Sequence, residues 1–214
     1  MDRRLPLVFV AHSLGGLVVK DALNQSAGEV NNKRLGDILA ATFGVCFLGT
    51  PHRGSKSASV GRKMFRATEI FAAQRANTQL LQALEKNSET LERITKNFYE
   101  TLKKHEGLQI FSFSEEREVR KFGVISAVIV DPDSARVGHG SEETGSIPAN
   151  HREMAKFTSA QDTGFVRVKN VLNRWVREIQ SAATRKFQSF SRSKGISGHS
   201  TLTFNSNPLR CRQG

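Results

Sequence analysis

The chain has 214 residues, of which 38% are hydrophobic and 24% are charged, enough for one domain with a buried core. No apolar run approaches the roughly 20 residues that a membrane-spanning helix requires, so we expect no transmembrane segment. The net charge of +12 would suit a nucleic-acid-binding protein, but half of it lies after residue 176, where seven Lys or Arg stand against one acid. The folded part therefore carries no clear nucleic-acid signature.

The first predicted elements are a short buried strand over residues 5–10 and a helix that begins at Leu14. Ser13 lies on the turn between them, an arrangement typical of a nucleophile elbow. Such a turn strains the serine backbone and presents its hydroxyl, while small neighbours let the strand and the helix pass closely. We assign that role to Ala11 and Gly15. The alternative is an ordinary strand-to-helix turn capped by Ser13.

The middle of the chain alternates polar and apolar segments. Residues 24–37 are polar and predict a surface connection, and residues 43–49 predict a second strand that is buried on both faces. The loop over residues 50–55 should emerge at the same sheet edge as Ser13. Residues 57–99 predict two or three amphipathic helices, which either cover the sheet or form a lid over the nucleophile.

The last third predicts the rest of the sheet. We expect a third strand at residues 108–113, a fourth at residues 124–130, a glycine-rich loop around residue 139 and a final helix over residues 163–182. This order predicts an α/β fold with a mostly parallel sheet, helices on both faces and a helical insertion. The domain should span residues 1–182, and residues 183–214 should form a basic, disordered tail.

A serine nucleophile needs a base, and in α/β-hydrolases the base follows the acid in the chain. Of the six histidines, we favour His151, because it lies between the last strand and a helical segment. His139 is the second choice, in a loop loosened by flanking glycines. His12 is on the turn but directed elsewhere, and His52 comes too early in the chain. His105 lies at a charged helix end, and His199 lies in the tail.

The acid should follow the third strand, where Glu115 stands. Three neighbouring carboxylates remain open alternatives: Glu116, Asp131 and Asp133. The backbone N–H of Leu14, directly after the nucleophile, is the predicted oxyanion donor. These residues imply no metal and no organic cofactor.

The position of the elbow predicts an incomplete fold. In a full α/β-hydrolase the nucleophile follows the fifth of eight strands, whereas here it follows the first predicted strand. We therefore expect four strands and the loop with the second oxyanion donor to be missing. The chain should then be a fragment of a longer polypeptide, pair with a partner chain, or be poorly active. The strand at residues 5–11 would present an open apolar edge.

Cysteine use predicts the compartment. Cys46 lies in an apolar run and Cys211 in the polar tail, so the two do not suggest a disulfide framework. The apolar run near the N-terminus superficially resembles a signal peptide, but the elbow pattern explains it better. The sequence thus predicts an intracellular, cytoplasmic protein. Its basic tail predicts at most a peripheral membrane contact and no specific nucleic-acid partner.

Three segments together carry a family resemblance: Phe9-Val10-Ala11-His12-Ser13-Leu14-Gly15-Gly16-Leu17-Val18-Val19-Lys20, Phe47-Leu48-Gly49-Thr50-Pro51-His52-Arg53-Gly54-Ser55 and Asn150-His151-Arg152-Glu153-Met154-Ala155-Lys156-Phe157. The chain resembles the serine-active-site-containing protein family of lipase-like α/β-hydrolases, related to the GPI inositol-deacylases and common in fungi. The resemblance implies Ser13 as nucleophile, His151 as base, and ester hydrolysis or acyl transfer on lipids. For some members it also implies association with mitochondrial or endoplasmic-reticulum membranes.

The leading hypothesis is a serine esterase or lipase-like enzyme that acts on a lipid or another carboxylic ester. The main alternative is a non-catalytic or truncated hydrolase module that serves as an interaction domain. A basic nucleic-acid binder is a third hypothesis, and it predicts affinity that falls steeply with salt.

Overall fold

A computed structural model describes residues 5–29, 32–52, 88–121, 124–127, 130 and 132–193. The chain divides into two compact units, residues 1–176 and 177–214. Within the described ranges, no helix combines the length and apolar character needed to cross a membrane. The predicted lid or crossover helices before residue 88 lie outside the described residues.

The first unit is built on a four-stranded sheet. Its strands are β1 (Leu7–His12), β2 (Thr42–Leu48), β3 (Gln109–Glu115) and β6 (Glu142–Ile147), ordered β1-β2-β3-β6, and every pair is parallel. The helices of the described chain are α1 (Gly15–Gly28), α2 (Lys33–Ala41), α3 (Ser88–Lys104) and α4 (Thr163–Ser193), and α4 belongs to the first unit only as far as residue 176. This arrangement confirms the predicted α/β class and its parallel sheet.

Side chains of β2 alternate between two cores, as a strand buried on both faces requires. Val45 and Phe47 point into a core that includes Leu23 of α1, Leu39 of α2 and Phe98 of α3. On the opposite face, a second core collects residues of β2, β3, β6, α4 and the turn after β6: Cys46, Leu48, Phe111, Phe113, Ile147, Met154, Val168, Val171 and Trp175. Helices therefore cover both faces of the sheet, as predicted.

The fourth strand of the sheet differs from the prediction. Residues 124–130 were expected to supply it, but β5 (Val124–Ala127) pairs antiparallel with β4 (Val119–Lys121) in a separate hairpin. The sheet instead takes β6, whose sequence Glu-Glu-Thr-Gly-Ser-Ile has one large apolar residue. At the edge of the described sheet, β6 is held by its ladder with β3 and by an ion pair of 2.6 Å between Glu143 and Arg174. Hydrophobic patterning could not reveal such a strand.

Two helical predictions also need correction. The predicted surface connection over residues 24–37 is partly helical, because α1 continues to Gly28 and α2 begins at Lys33. Asn32 caps α2 by accepting a hydrogen bond from the Leu35 N–H. The predicted disordered tail from residue 183 is wrong for its first part, since α4 runs to Ser193. That part contains good helix formers such as Arg185 and Lys186 and no glycine or proline, so the helix need not stop.

Candidate active site

The site lies at the edge where the parallel strands end. Ser13 follows β1, Glu115 is the last residue of β3, and His151 comes shortly after β6 ends at Ile147. Because the carboxyl ends of parallel strands share one edge, strands that are distant in sequence deliver their residues to one place. The structure brings the predicted Ser13, His151 and Glu115 together there.

Ser13 occupies a strained turn. Its φ is +54°, a left-handed value that residues other than glycine seldom adopt and that costs roughly 1–2 kcal/mol. The Ser13 N–H donates to the Leu48 carbonyl over 2.9 Å, and the Thr50 hydroxyl donates to the Ser13 carbonyl over 3.0 Å. These two bonds to β2 and its following loop hold the strained residue in place.

The glycine that allows close packing at the elbow is Gly16, whereas Gly15 was predicted. Apart from its chain neighbours and the backbone of its own helix, no described residue lies within 4 Å of a Cβ built on Gly15, which was expected to make the close approach. A Cβ on Gly16 would instead clash with the Thr50 side chain. The glycine at position 16 is therefore what lets α1 lie against the loop after β2. Ala11, the other small residue predicted to matter, is buried at the end of β1.

A continuous chain of hydrogen bonds links the three side chains. His151 Nε2 lies 2.9 Å from Ser13 Oγ, and His151 Nδ1 lies 2.6 Å from Glu115 Oε2. A carboxylate accepts, so Nδ1 carries the proton and Nε2 is left to accept from the Ser13 hydroxyl. The exposed fractions are 2% for Ser13, 0% for His151 and 4% for Glu115. Water is thus largely excluded from these bonds, and the imidazole presents Nε2 to the Ser13 hydroxyl.

Backbone groups also contact Glu115 and make room for His151. Glu115 Oε1 accepts the Val130 N–H over 3.3 Å, which leaves Oε2 for His151. Gly49 has a φ of +56°, and a Cβ there would lie 3.0 Å from His151 Nδ1 and 2.7 Å from Met154 Sδ. Glycine at the end of β2 therefore makes room for the imidazole. The residues alone gave no indication of this role for Gly49.

The other predicted carboxylates lie elsewhere. Glu116 is exposed and accepts hydrogen bonds from the Ser146 hydroxyl and Arg167, each over 2.6 Å. The bond from Ser146 and then that from Arg167 hold the pKa of Glu116 below its usual value. Asp133 is exposed, and Asp131 is outside the described residues. In the described geometry, Glu115 is the carboxylate bound to the histidine.

The side chains of His139 and His52 contact other groups. His139 pairs with the Ser141 hydroxyl at 2.8 Å and stacks edge-on against Tyr99. His105 lies just past the end of α3, and His199 is outside the described residues. His52 is fully buried against Phe47, and burial followed by the charge of Lys20 lowers its pKa well below the usual value.

His12 departs from the prediction that it points elsewhere on the turn. Its Nε2 lies 2.8 Å from the backbone carbonyl oxygen of His151, and the two rings are 5.1 Å apart. Burial first, and then the neighbouring His151, lower the pKa of His12. The residue beside the nucleophile thus contacts the histidine proposed as its base.

The predicted oxyanion donor lies at the start of α1. Leu14 is the N-cap residue of that helix, and its carbonyl accepts the Leu17 N–H over 3.0 Å. Backbone N–H groups in the first turn have no partner within their own helix, and the helix dipole favours negative charge there. The Leu14 N–H thus lies at a helix start, and its role as oxyanion donor stays a prediction. Among the described residues, no cluster of three or more His, Cys, Asp or Glu could hold a metal ion.

Comparison with known proteins gives distant relatives. The chain is 28% identical to Protein SERAC1 of Bos taurus and 25% identical to that of Homo sapiens, each over 155 residues that cover 71% of this chain. It is 28% identical to Protein SERAC1 of Danio rerio over 139 residues, or 63% of this chain. The chain spans about a fifth of the length of these relatives. No family model and no solved structure matches it.

Proposed function

We propose that this protein is a serine hydrolase in which Ser13 is the nucleophile, His151 the general base and Glu115 the residue that orients it. The continuous, buried hydrogen-bond chain from Ser13 through His151 to Glu115 carries the proposal. The strained φ of Ser13 supports it, since backbone strain tends to occur at active sites. The distant similarity to Protein SERAC1 is compatible with a hydrolase-like domain.

The mechanism follows from the atoms in contact. As the Ser13 oxygen attacks an ester carbonyl, its proton passes to His151 Nε2, and Glu115 stabilises the resulting imidazolium. The N–H of Leu14 donates to the oxyanion. When the tetrahedral intermediate collapses, the leaving alcohol takes the proton from Nε2 and an acyl-Ser13 remains. Water, deprotonated by the same nitrogen, then releases the carboxylic acid and restores the Ser13 hydroxyl.

The geometry and the resemblance support different parts of the substrate assignment. The serine–histidine–carboxylate arrangement suits acyl transfer in general. The narrower assignment, to a lipid or another carboxylic ester, depends on the three segments around Ser13, His52 and His151 that resemble lipase-like hydrolases. Relationship to fungal or GPI inositol-deacylase-like proteins stays a prediction, as do membrane association and the acyl group itself.

The direct test is hydrolysis of p-nitrophenyl esters with acyl chains from acetyl to palmitoyl, by the wild-type chain and by Ser13→Ala. We expect the substitution to abolish turnover above background. The matched control is Ser141→Ala. Ser141 also forms a hydrogen bond with a histidine, His139, but among the described residues no hydrogen bond joins His139 to a carboxylate. Equal turnover by the wild-type chain and Ser13→Ala would refute the proposal.

An interaction module is the second candidate function, and the free side of β1 favours it. Within the described sheet, β2 is the strand paired with β1, while Leu7 and Val10 are 38% and 49% exposed. An edge strand with exposed apolar residues can pair with a strand from another segment or chain. A folded chain whose Ser13 does not react with a fluorophosphonate would favour this function over catalysis.

An intracellular location is also proposed. Cys46 is a free, buried cysteine, and burial raises the pKa of its thiol to about 12. A thiol without a disulfide partner suits a reducing compartment.

A further inference from the structure

The contact between His12 and His151 joins two parts of the site that are far apart in sequence. His12 is the last residue of β1 and pairs in register with Leu48 of β2, so the sheet fixes its backbone. Its Nε2 lies 2.8 Å from the His151 carbonyl oxygen. A carbonyl oxygen can only accept, and the proton must therefore lie on Nε2 of His12. The His12 ring is thus a donor that links the strand before the nucleophile to the backbone of the base.

The backbone hydrogen bonds described for the turn that carries His151 lie mainly within the turn. The N–H groups of Glu153 and Met154 both donate to the Asn150 carbonyl, each over 3.0 Å. The Asn150 side chain accepts from the Arg152 N–H over 3.0 Å. These bonds shape the turn without setting its distance from Ser13. The bond from His12 ties the backbone of this turn to the strand before Ser13, in addition to the side-chain bonds of His151 to Ser13 and Glu115.

We propose that His12 is a positioning residue, whose Nε2–H holds the backbone of His151 so that the imidazole stays within hydrogen-bonding distance of Ser13. The inference builds on the proposed function, since its catalytic consequence requires an active Ser13. A second requirement follows from the distance of 5.1 Å between the rings. A charged His12 would oppose the positive charge that His151 gains during the reaction. Burial and the neighbouring His151 lower the pKa of His12, which favours the neutral ring.

Two substitutions separate the hydrogen-bond donor of His12 from the volume of its side chain. His12→Gln keeps an N–H at about the position of Nε2 and cannot ionise, whereas His12→Met has similar length and no donor. His139→Met is the matched control, since His139 is a histidine bonded to Ser141 away from Ser13. The readout is the second-order rate of fluorophosphonate labelling, measured well below the melting temperature of each variant. We expect His12→Met to slow labelling about 10- to 100-fold. His12→Gln should stay within a few-fold of wild type.

Hydrogen exchange at residues 150–155 tests the same bond without activity. We expect His12→Met to speed exchange of the Glu153 and Met154 amides about 10-fold or more, and His12→Gln and His139→Met to leave it near the wild-type rate. Wild-type exchange in His12→Met, or equal loss of labelling in the Gln and Met variants, would overturn the positioning role. If the wild-type chain is not labelled at all, the proposed function fails, and the exchange pattern alone decides the role of His12.

Discussion

Lys20 is a buried charge that the proposed chemistry does not use. Its side chain is fully buried beside the rings of Phe47 and Phe98, and its Nζ has no hydrogen-bond partner among the described residues. An unpaired ammonium in such surroundings is destabilised relative to the neutral amine. Burial accordingly lowers the pKa of Lys20 to about 7, although the charge of Glu142 acts in the opposite direction.

Stability should therefore rise with pH above neutrality. Between pH 7 and 10.5 the unfolded chain keeps the Lys20 proton that the folded protein has lost, so the free energy of unfolding increases by up to about 1.4 kcal/mol per pH unit. Cys46, with its raised pKa, has the opposite effect above pH 9, which leaves pH 7–9 as the clear window. We expect Lys20→Met to remove this slope in urea denaturation. The exposed Lys103→Met should retain it, and a slope unchanged by Lys20→Met would contradict this account.

Adjacent glutamates offer a matched test of the proposed acid. Glu115 is buried against His151, whereas Glu116 is exposed and bound to Arg167. Glu115→Gln removes the negative charge beside His151 and, with one oxygen still accepting the Val130 N–H, turns an amide N–H toward Nδ1, so it should lower ester turnover by about 10⁴-fold. Glu116→Gln breaks an exposed ion pair and should leave turnover nearly unchanged. Comparable losses in the two variants, measured on protein shown to be folded by circular dichroism, would exclude Glu115 from the assigned role.

At the scale of elements, the close approach of α1 to the loop after β2 sets the position of the nucleophile. Gly16→Ala places a methyl group against Thr50, whose side chain is fully buried and donates to the Ser13 carbonyl. We expect this substitution to lower the free energy of unfolding by about 1–3 kcal/mol. Gly15→Ala should leave stability unchanged or raise it by up to about 1 kcal/mol, because alanine is the better helix former. Chemical denaturation of both variants checks the difference, and equal effects would count against the contact.

The same scale shows what the sequence could and could not predict. β2 and β3 are dense in apolar residues because both of their faces are buried, and their positions were predicted closely. The amphipathic pattern predicted over residues 57–99 likewise includes Ile94 and Phe98, which are buried on α3. β6 escaped prediction because an edge strand with a polar sequence has no such pattern. Chain order narrowed the base to His151 or His139 and the acid to Glu115 or three neighbouring carboxylates, whereas the His12 contact depends on how the His151 turn packs.

On the scale of the whole molecule, the exposed side of β1 predicts self-association. Val10 is 49% exposed on this strand, and Val18 is 67% exposed on α1. We expect the wild-type chain to associate with increasing concentration in sedimentation velocity, and Val10→Lys to reduce the association, because lysine discourages strand pairing. Val18→Lys is the control for an added charge away from a strand and should associate like wild type. A wild-type chain that stays monomeric at all concentrations would contradict the prediction.

The central claim is that one serine is activated by the buried histidine and carboxylate. Its most direct test is mass-spectrometric mapping of the adduct formed when the folded chain reacts with a fluorophosphonate. The account predicts a single adduct on the peptide that contains Ser13, absent from Ser13→Ala and from heat-unfolded protein. An unmodified Ser13 in folded protein, or adducts spread over other serines at the same rate, would contradict it.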